Sequence, residues 1–497
     1  MSVRLRTALQ RLGGAFGQGS FARSVSVLAG GTAFVQIVLV LTSPLLTRLY
    51  LPADFGIVGS FAALLAVLAT IVTLRYSLAI PLPPTDHEAA HIATLALLIT
   101  TVLAGCVAVV VLTVGPDALV ALGLPELTRY VWLLPIALLL SGIHNTFSYW
   151  AIRTESFGVI ARTKAAQGVG QIIVQLALFP LGAIGLLFGQ LTGQTAGSTA
   201  LARNALMGQR RAAFTNVTAH GVARAAVRYR RFPLFSTWEG GLNALGTQLP
   251  TLLLVSLFGA SAAGQYVLAT RVLSAPLGLL GKAVADVFLS RGAKAHREGD
   301  LGVLVRRVHN ALSSLAMPGV VLLMIAAPSV FAFVFGDEWH VAGRLVRWMA
   351  PWLYLVFVTS PLSTLFTILE KQAQSAVFQA TLLALRTGGI FSGARLGGLE
   401  TAVAMFSVVS AACYAFLLWW IFRATGSGSR IFLATTLKSL VVSLAVAAPL
   451  GTAMHFALPP SVVALAAGTS LALLGAYYMR LLRGLLDSRA GAGGEGT

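Results

Sequence analysis

The residues of this sequence with chemistry to offer are charged side chains set inside, or at the rims of, long apolar runs, and most of them are cations. Arg271 lies nine residues beyond Ala262, which on a helix places it about 13 Å into its run. A cation facing lipid at that depth costs at least roughly 2.5 to 3.5 kcal/mol, so Arg271 should face a polar cavity or a partner, and Glu239 is the candidate partner. Lys282 and Asp286 stand at i and i+4, close enough to pair on one helical face. With Arg75 and Arg48, Arg271 and Lys282 form the set of candidate cavity cations for an anionic ligand. For Arg75 and Lys282 the competing reading is snorkelling toward phospholipid phosphates. Glu239 and Asp286 are candidates for ion coupling or for a salt bridge. Arg386, deep in a later run, is expected to be structural.

No nucleophile, base and orienting acid can be assembled from the remaining residues, so no catalytic site and no enzyme activity is expected. His87 and His91 are spaced i, i+4 but lack a third ligand, which argues against a metal. A Gly-rich phosphate loop with Lys and Ser or Thr does not occur, which argues against ATP hydrolysis. The two cysteines, Cys106 and Cys413, lie far apart in apolar runs, so neither a disulfide framework nor a cofactor is expected.

The elements that must position these charges are set by composition. Of 497 residues 57% are hydrophobic and only 10% charged, with a mean hydropathy of +0.83; ordinary soluble chains carry about a quarter charged residues. Runs of roughly 20 apolar residues are spanning helices, and about fourteen can be read, centred near Val35, Leu65, Ala104, Leu138, Ile172, Leu191, Leu249, Leu273, Val321, Val356, Leu382, Val408, Leu444 and Leu471. The net charge of +19 reflects topology rather than nucleic acid. With the N-terminus inside, 27 of the 35 Lys and Arg residues fall in cytoplasmic segments and five, Arg48, Arg129, Arg344, Arg347 and Arg395, in outer ones. That asymmetry follows the positive-inside rule and puts both termini in the cytoplasm.

The resulting expectation is an all-α polytopic membrane protein. A cytoplasmic amphipathic segment spans 1–24 and a six-helix bundle 25–208. A basic cytoplasmic linker over 209–232 leads to a second six-helix bundle at 233–423, followed by an additional helix pair at 431–484 and a tail at 485–497. The outer connections are short, the largest being a small interfacial element around Leu119 and Leu122. The two bundles are pseudo-symmetric: shifted by 208 positions, Leu49-Tyr50-Leu51-Pro52-Ala53-Asp54-Phe55-Gly56 falls on Leu257-Phe258-Gly259-Ala260-Ser261-Ala262-Ala263-Gly264. Each is a helix end, a short turn and a Gly opening the next helix. The preceding helices each carry a Gly pair, Gly30-Gly31 and Gly240-Gly241. Six crossings per block make the repeats parallel, with a cavity expected between them. In helix six, Gly185, Gly189, Gly193 and Gly197 form a small-residue ridge for packing.

Two stretches carry a resemblance. Leu46-Thr47-Arg48-Leu49-Tyr50-Leu51-Pro52-Ala53-Asp54-Phe55-Gly56, continued by Leu74-Arg75-Tyr76-Ser77-Leu78-Ala79-Ile80-Pro81 and Glu88-Ala89, and then Tyr266, Ala269, Arg271 and Pro276-Leu277-Gly278-Leu279, resemble the multidrug/oligosaccharidyl-lipid/polysaccharide exporter superfamily and, within it, the Wzx-type polysaccharide flippases. The resemblance implies alternating-access transfer of a polyprenyl-diphosphate-linked glycan, an O-antigen, capsule or exopolysaccharide repeat unit, to the outer leaflet of a bacterial inner membrane. It matches Arg271 to a cavity-facing Arg of the related lipid II flippases and leaves a membrane polysaccharide polymerase as a candidate partner. Ser77, where an acid is expected, and Ala63, the repeat equivalent of Arg271, depart from the pattern. A lipid II flippase or a multidrug antiporter of the same superfamily is the alternative; a glycan polymerase or ligase would need a larger outer loop.

Overall fold

The structure, a computed structural model, describes residues 20–207, 211–426 and 429–492. The amphipathic segment expected at the N-terminus therefore falls mostly outside the described residues, as does the end of the tail. Every regular element described is helical. Apolar chain in lipid must satisfy its own backbone hydrogen bonds, and the helix does this within one segment.

The long helices are α1 (Ser20–Leu49), α2 (Pro52–Ile71), α3 (Asp86–Thr113), α4 (Leu133–Arg153), α5 (Phe157–Ala177), α6 (Ala183–Leu206), α9 (Leu301–Phe335), α10 (His340–Leu362), α11 (Gln372–Leu396), α12 (Leu399–Ala424), α13 (Ser429–His455) and α14 (Pro460–Ala492). Between α6 and α9 a continuous element, Thr237–Glu298, is broken at Gly259, whose φ of 81° is non-helical; α7 covers 237–258 and α8 covers 260–298. Each expected helix centre falls inside one of these. Among the described residues, eight helices are long and apolar enough to cross a membrane.

The chain divides into two compact units, Met1–Leu268 and Ala269–Thr497. In the first, α1 lies along α5, α5 along α6, and α4 against both α3 and α6. The glycine ridge of α6 makes the α5–α6 contact possible. A Cβ on Gly189 would stand 2.4 Å from the Gln175 side chain, and one on Gly193 would stand 2.7 Å from the Gln167 carbonyl oxygen. Gln194 ties the same helix to α4 through Ser141 Oγ. The Arg153 guanidinium, nearly buried, clamps the α2–α3 connection: it donates to Asp86 at 2.8 Å and to the Pro83 carbonyl at 2.7 Å.

The basic linker is not a loose tether. Its helix Ala219–Arg228 packs on α3, where the Thr218 N–H donates to His91 Nε2 and the Tyr76 hydroxyl donates to the Ala226 carbonyl. His91 thus serves linker docking, and among the described residues no cluster suited to a metal occurs.

In the second unit α9 packs on α10 and α13, α10 on α12, α11 on α12, and α13 on α14. Tyr354, Phe357, Leu417, Phe422 and Leu450 belong to its buried core, and the Ser313 and Tyr354 hydroxyls meet there at 2.6 Å. The terminal pair is tied back to α9 by Tyr477 and Tyr478, whose hydroxyls donate to the Ser314 and Leu315 carbonyls.

The ridge gives a direct test. Gly189→Val should destabilise the detergent-solubilised protein by about 1 to 3 kcal/mol through overpacking, read as a lower aggregation temperature. Gly170→Ala, with open space around its Cα, should leave that temperature unchanged.

Candidate transport site

The turn between α1 and α2 is built by local chemistry. Leu51 is extended, Pro52 opens α2, and the Asp54 carboxylate accepts from the Leu51 N–H at 3.0 Å, placing negative charge at a helix N-terminus. Tyr50 is buried and donates to the Gln175 carbonyl. Burial and the neighbouring Asp54 push its phenol up to about 12, so it stays a donor throughout the physiological range. This end of α2 is thereby fixed to α5.

The repeat-related end of α8 lies against it. A Cβ on Gly56 would stand 1.8 Å from the Ala260 carbonyl oxygen, and a Cβ on Gly264 would stand 1.8 Å from the Pro52 carbonyl oxygen. The 208-residue shift converts Pro52 into Ala260 and Gly56 into Gly264, so the two contacts are one contact seen twice, related by the pseudo-symmetry of the repeat. Three residues further on, Gly59 leaves room for the Val267 side chain. Only glycine permits backbone to approach backbone this closely.

The caps of the two helices break that symmetry. Asp54 has Ala262 as its counterpart, so α8 carries no acid of its own in its first turn. The missing charge comes from elsewhere in the chain: Glu126, in the short turn Pro125–Leu127, accepts from the Ala260 N–H at 3.0 Å. Beside it, Gly123 packs on Ser256. The short element around Leu119 and Leu122 buries Leu119, leaves Leu122 exposed and leads into this dock. Sequence reading missed Glu126 because its partner is 134 residues away; the absence of an acid at Ala262 was the available signal.

At the opposite end of α2, Leu74 and Arg75 both have positive φ, 44° and 61°, a conformation that costs non-glycine residues on the order of 1–3 kcal/mol each and clusters at functional sites. It lays the Arg75 guanidinium across α7 at Gly240, where a Cβ would stand 1.7 Å from one of its terminal nitrogens. The Nε is buried and has no hydrogen-bond partner among the described residues. A buried arginine donor left free in a strained backbone is a place where an anion could bind. Glu239, next to Gly240, is exposed and makes no ion pair among the described residues.

The other expected site residues are distributed differently. Arg48 is exposed at the far end of α1, separated from Arg75 by the 20 residues of α2, about 30 Å. Arg271, half-buried on α8, belongs to the second unit and makes no ion pair among the described residues. The side chains of Lys282 and Asp286 lie outside those described. Arg386 is held within its own unit: its Nε donates to Ser410 Oγ at 2.9 Å, and its guanidinium lies over the rings of Trp352, Phe406 and Tyr414 at 5.1, 5.3 and 5.6 Å.

Comparison with known proteins supplies a context. The family model for polysaccharide biosynthesis proteins matches residues 45–344, which span the α1–α2 turn, Glu126, Arg75 and Arg271. The chain belongs to this family. No curated protein matches it. Among solved structures, the lipid II flippase MurJ in an inward closed conformation superposes with a TM-score of 0.72 at 12% identity, covering 92% of this chain and 99% of that one. An inward-facing multidrug resistance transporter of the MATE family, in the MOP superfamily, gives 0.62 at 14% identity over 80% of this chain and 98% of its own. A MOP superfamily transporter from Pyrococcus furiosus gives 0.51 at 14%, covering 81% and 94%. At these identities the likeness is one of fold. This polysaccharide biosynthesis protein is therefore a multi-pass membrane protein with the MOP transporter fold.

The cap on α8 is testable. Glu126→Gln keeps an acceptor but removes the charge, and should weaken the dock by about 0.3 to 1 kcal/mol; Glu126→Ala removes both. Hydrogen exchange of the amides from 260 to 264 should rise in the order wild type, Gln, Ala, with the amides of α6 unchanged as the internal control.

Proposed function

We propose that this protein is a flippase that carries a polyprenyl-diphosphate-linked oligosaccharide, the repeat unit of an O-antigen, capsule or exopolysaccharide, from the cytoplasmic to the outer leaflet of a bacterial inner membrane. The observation that carries the reading is Arg75, a half-buried cation whose buried Nε is an unsatisfied donor among the described residues and whose backbone is left-handed, in a chain whose family is that of polysaccharide biosynthesis proteins. The lopsided distribution of Lys and Arg supports cytoplasmic termini, and in that orientation Arg75 is at the inner end of α2. The glycine crossing then lies at the outer end.

In this mechanism Arg75 and Arg271 offset the diphosphate charge while the sugars pass through a polar path and the prenyl chain stays outside that path. Lys282 and Arg48 remain further candidate cations, and Glu239 and Asp286 candidates for ion coupling or for salt bridges. The crossing at Gly56 and Gly264 is the outer closure, and the Glu126 cap on α8 is its latch. Headgroup release outward breaks that cap. An inside-negative potential favours expulsion of the anionic headgroup by about 2.3 kcal/mol per charge per 100 mV. A membrane polysaccharide polymerase would receive the product.

The test is glycan display on cells lacking this protein, complemented at matched membrane levels. Wild type should restore display, and Arg75→Ala and Arg271→Ala should each reduce it about tenfold to a hundredfold, the loss of one charged hydrogen bond of about 1.5–3 kcal/mol. Equal rescue by the variants would remove these cations from the mechanism. Failure of wild type to restore any glycan, with lipid II accumulating in its absence, would assign the chain to lipid II instead. In vesicles, collapsing the membrane potential should slow flipping severalfold, and an unchanged rate would exclude the field as a driving force.

A further inference from the structure

A cavity of about 640 Å³ lies on the second unit, between α11 and α12 and beside Phe366 of the short helix Leu365–Ile368. Phe366, Gln374, Phe378, Leu385, Cys413 and Trp420 mark its course. Its wall along α11 runs from Ala373 to Leu385, twelve residues or about 18 Å of helix. The lining is apolar apart from Gln374 and Thr381. The aromatic walls are organised: Phe366 and Trp420 stack at 4.6 Å and 22°, and Phe378 meets Tyr414 edge-on at 5.9 Å. The groove follows the line between two neighbouring helices, a shape that suits an extended hydrocarbon chain.

One end of the groove carries a cation without a carboxylate partner among the described residues, whereas Arg386, beside the other end, is taken up by Ser410 and aromatic rings. Lys371 immediately precedes α11, and its ammonium stands 5.6 Å from the ring centre of Trp420. No carboxylate pairs with it among the described residues. No side chain caps the N-terminus of α11, so its first N–H groups add their dipole to the Lys371 charge. At the adjoining end of α12, Arg423 lies over Trp419. The repeat explains why the groove exists. In the first unit α5 is covered along its length by α1, with Gly168 against Val35. In the second unit α11, the helix in the same position of its block, has α12 on one side and the groove beside it.

We propose that this groove holds the first isoprenoid units of the polyprenyl chain of the substrate, with its diphosphate at the Lys371 mouth in a loading state that precedes transfer past Arg75 and Arg271. The proposal rests on the flippase reading above and adds to it a tail site on α11 and α12, apart from the terminal pair α13 and α14. Two cations at the mouth match a group bearing more than one negative charge, and one narrow apolar channel matches one chain, whereas a phospholipid brings one phosphate charge and two chains.

Cys413 lies in the wall and, with Cys106, is one of the two cysteines of the chain, so the full-length Cys106→Ser protein reports on the groove by itself. In phosphatidylcholine nanodiscs the rate of Cys413 modification by N-ethylmaleimide is measured with undecaprenyl diphosphate, undecaprenol or phosphatidylglycerol added. Undecaprenyl diphosphate should slow modification about tenfold. Undecaprenol should slow it much less, and Lys371→Ala should need about tenfold more of the diphosphate for the same protection, the loss of one charged contact. Thr381→Trp, which fills the channel, should make the rate insensitive to all three. Protection by phosphatidylglycerol equal to that by undecaprenyl diphosphate would overturn the proposal in favour of ordinary membrane lipid, and no protection by either would overturn it outright. Glycan display is scored separately in cells. Its loss in the deletion strain tests the flippase reading, and the thiol protection tests the groove, so either can fail while the other stands.

Discussion

Backbone-to-backbone contact at Gly56 and Gly264 constrains the rest of the first unit. Two helix starts can cross at this distance only if neither carries a side chain at the crossing, and the repeat places a glycine on both. The surrounding chemistry serves that crossing. Tyr50 fixes the end of α1 to α5 through the Gln175 carbonyl, Asp54 caps α2, and the turn bearing Glu126 reaches across to cap α8. A carboxylate at a helix N-terminus is worth only about 0.3–1 kcal/mol when exposed. The crossing is thus held by contacts that can be exchanged at small cost, as a closure that opens in each cycle requires.

Charges inside apolar surroundings divide into two kinds in this protein. Arg386 has an aromatic box over its guanidinium and a serine hydroxyl on its Nε, all from its own unit. Arg75 instead has a free Nε, a strained backbone and a glycine where a partner side chain would otherwise sit. The first arrangement spends the cation on structure. The second leaves donor capacity for a ligand that is not part of the chain, at a position where the helix end is already held in an uncommon conformation.

Much of this was readable from the residues. Apolar run length located the long helices, the glycine ridge of α6 announced a closely packed face without naming its partner, and the 208-residue repeat pointed to the helix starts that the structure joins. Arg386 was read as structural, although its box was not foreseen; Phe406, Ser410 and Tyr414 at four-residue spacing on one face of α12 were the sign. What could not be read depends on chain reversal in three dimensions. Glu126 is recognisable as a cap only once α3 and the turn after it bring residue 126 to residue 260. The left-handed turn at Leu74 and Arg75 leaves no trace in composition, because neither residue favours it. The docking of the basic linker on α3 through His91 was likewise hidden, since a histidine spaced i, i+4 from another looks the same whether it binds a metal or accepts from a backbone N–H.

The central claim is that the Gly56–Gly264 crossing must part during each transport cycle. Leu51 and Ser261, both exposed, flank it. With Cys106 and Cys413 replaced by serine, cysteines at these two positions can be joined by bis-maleimides of increasing length in cells whose glycan display depends on this protein. The shortest linker that reacts should stop new display, and progressively longer ones should restore it. Undiminished display with the short link in place would contradict the account.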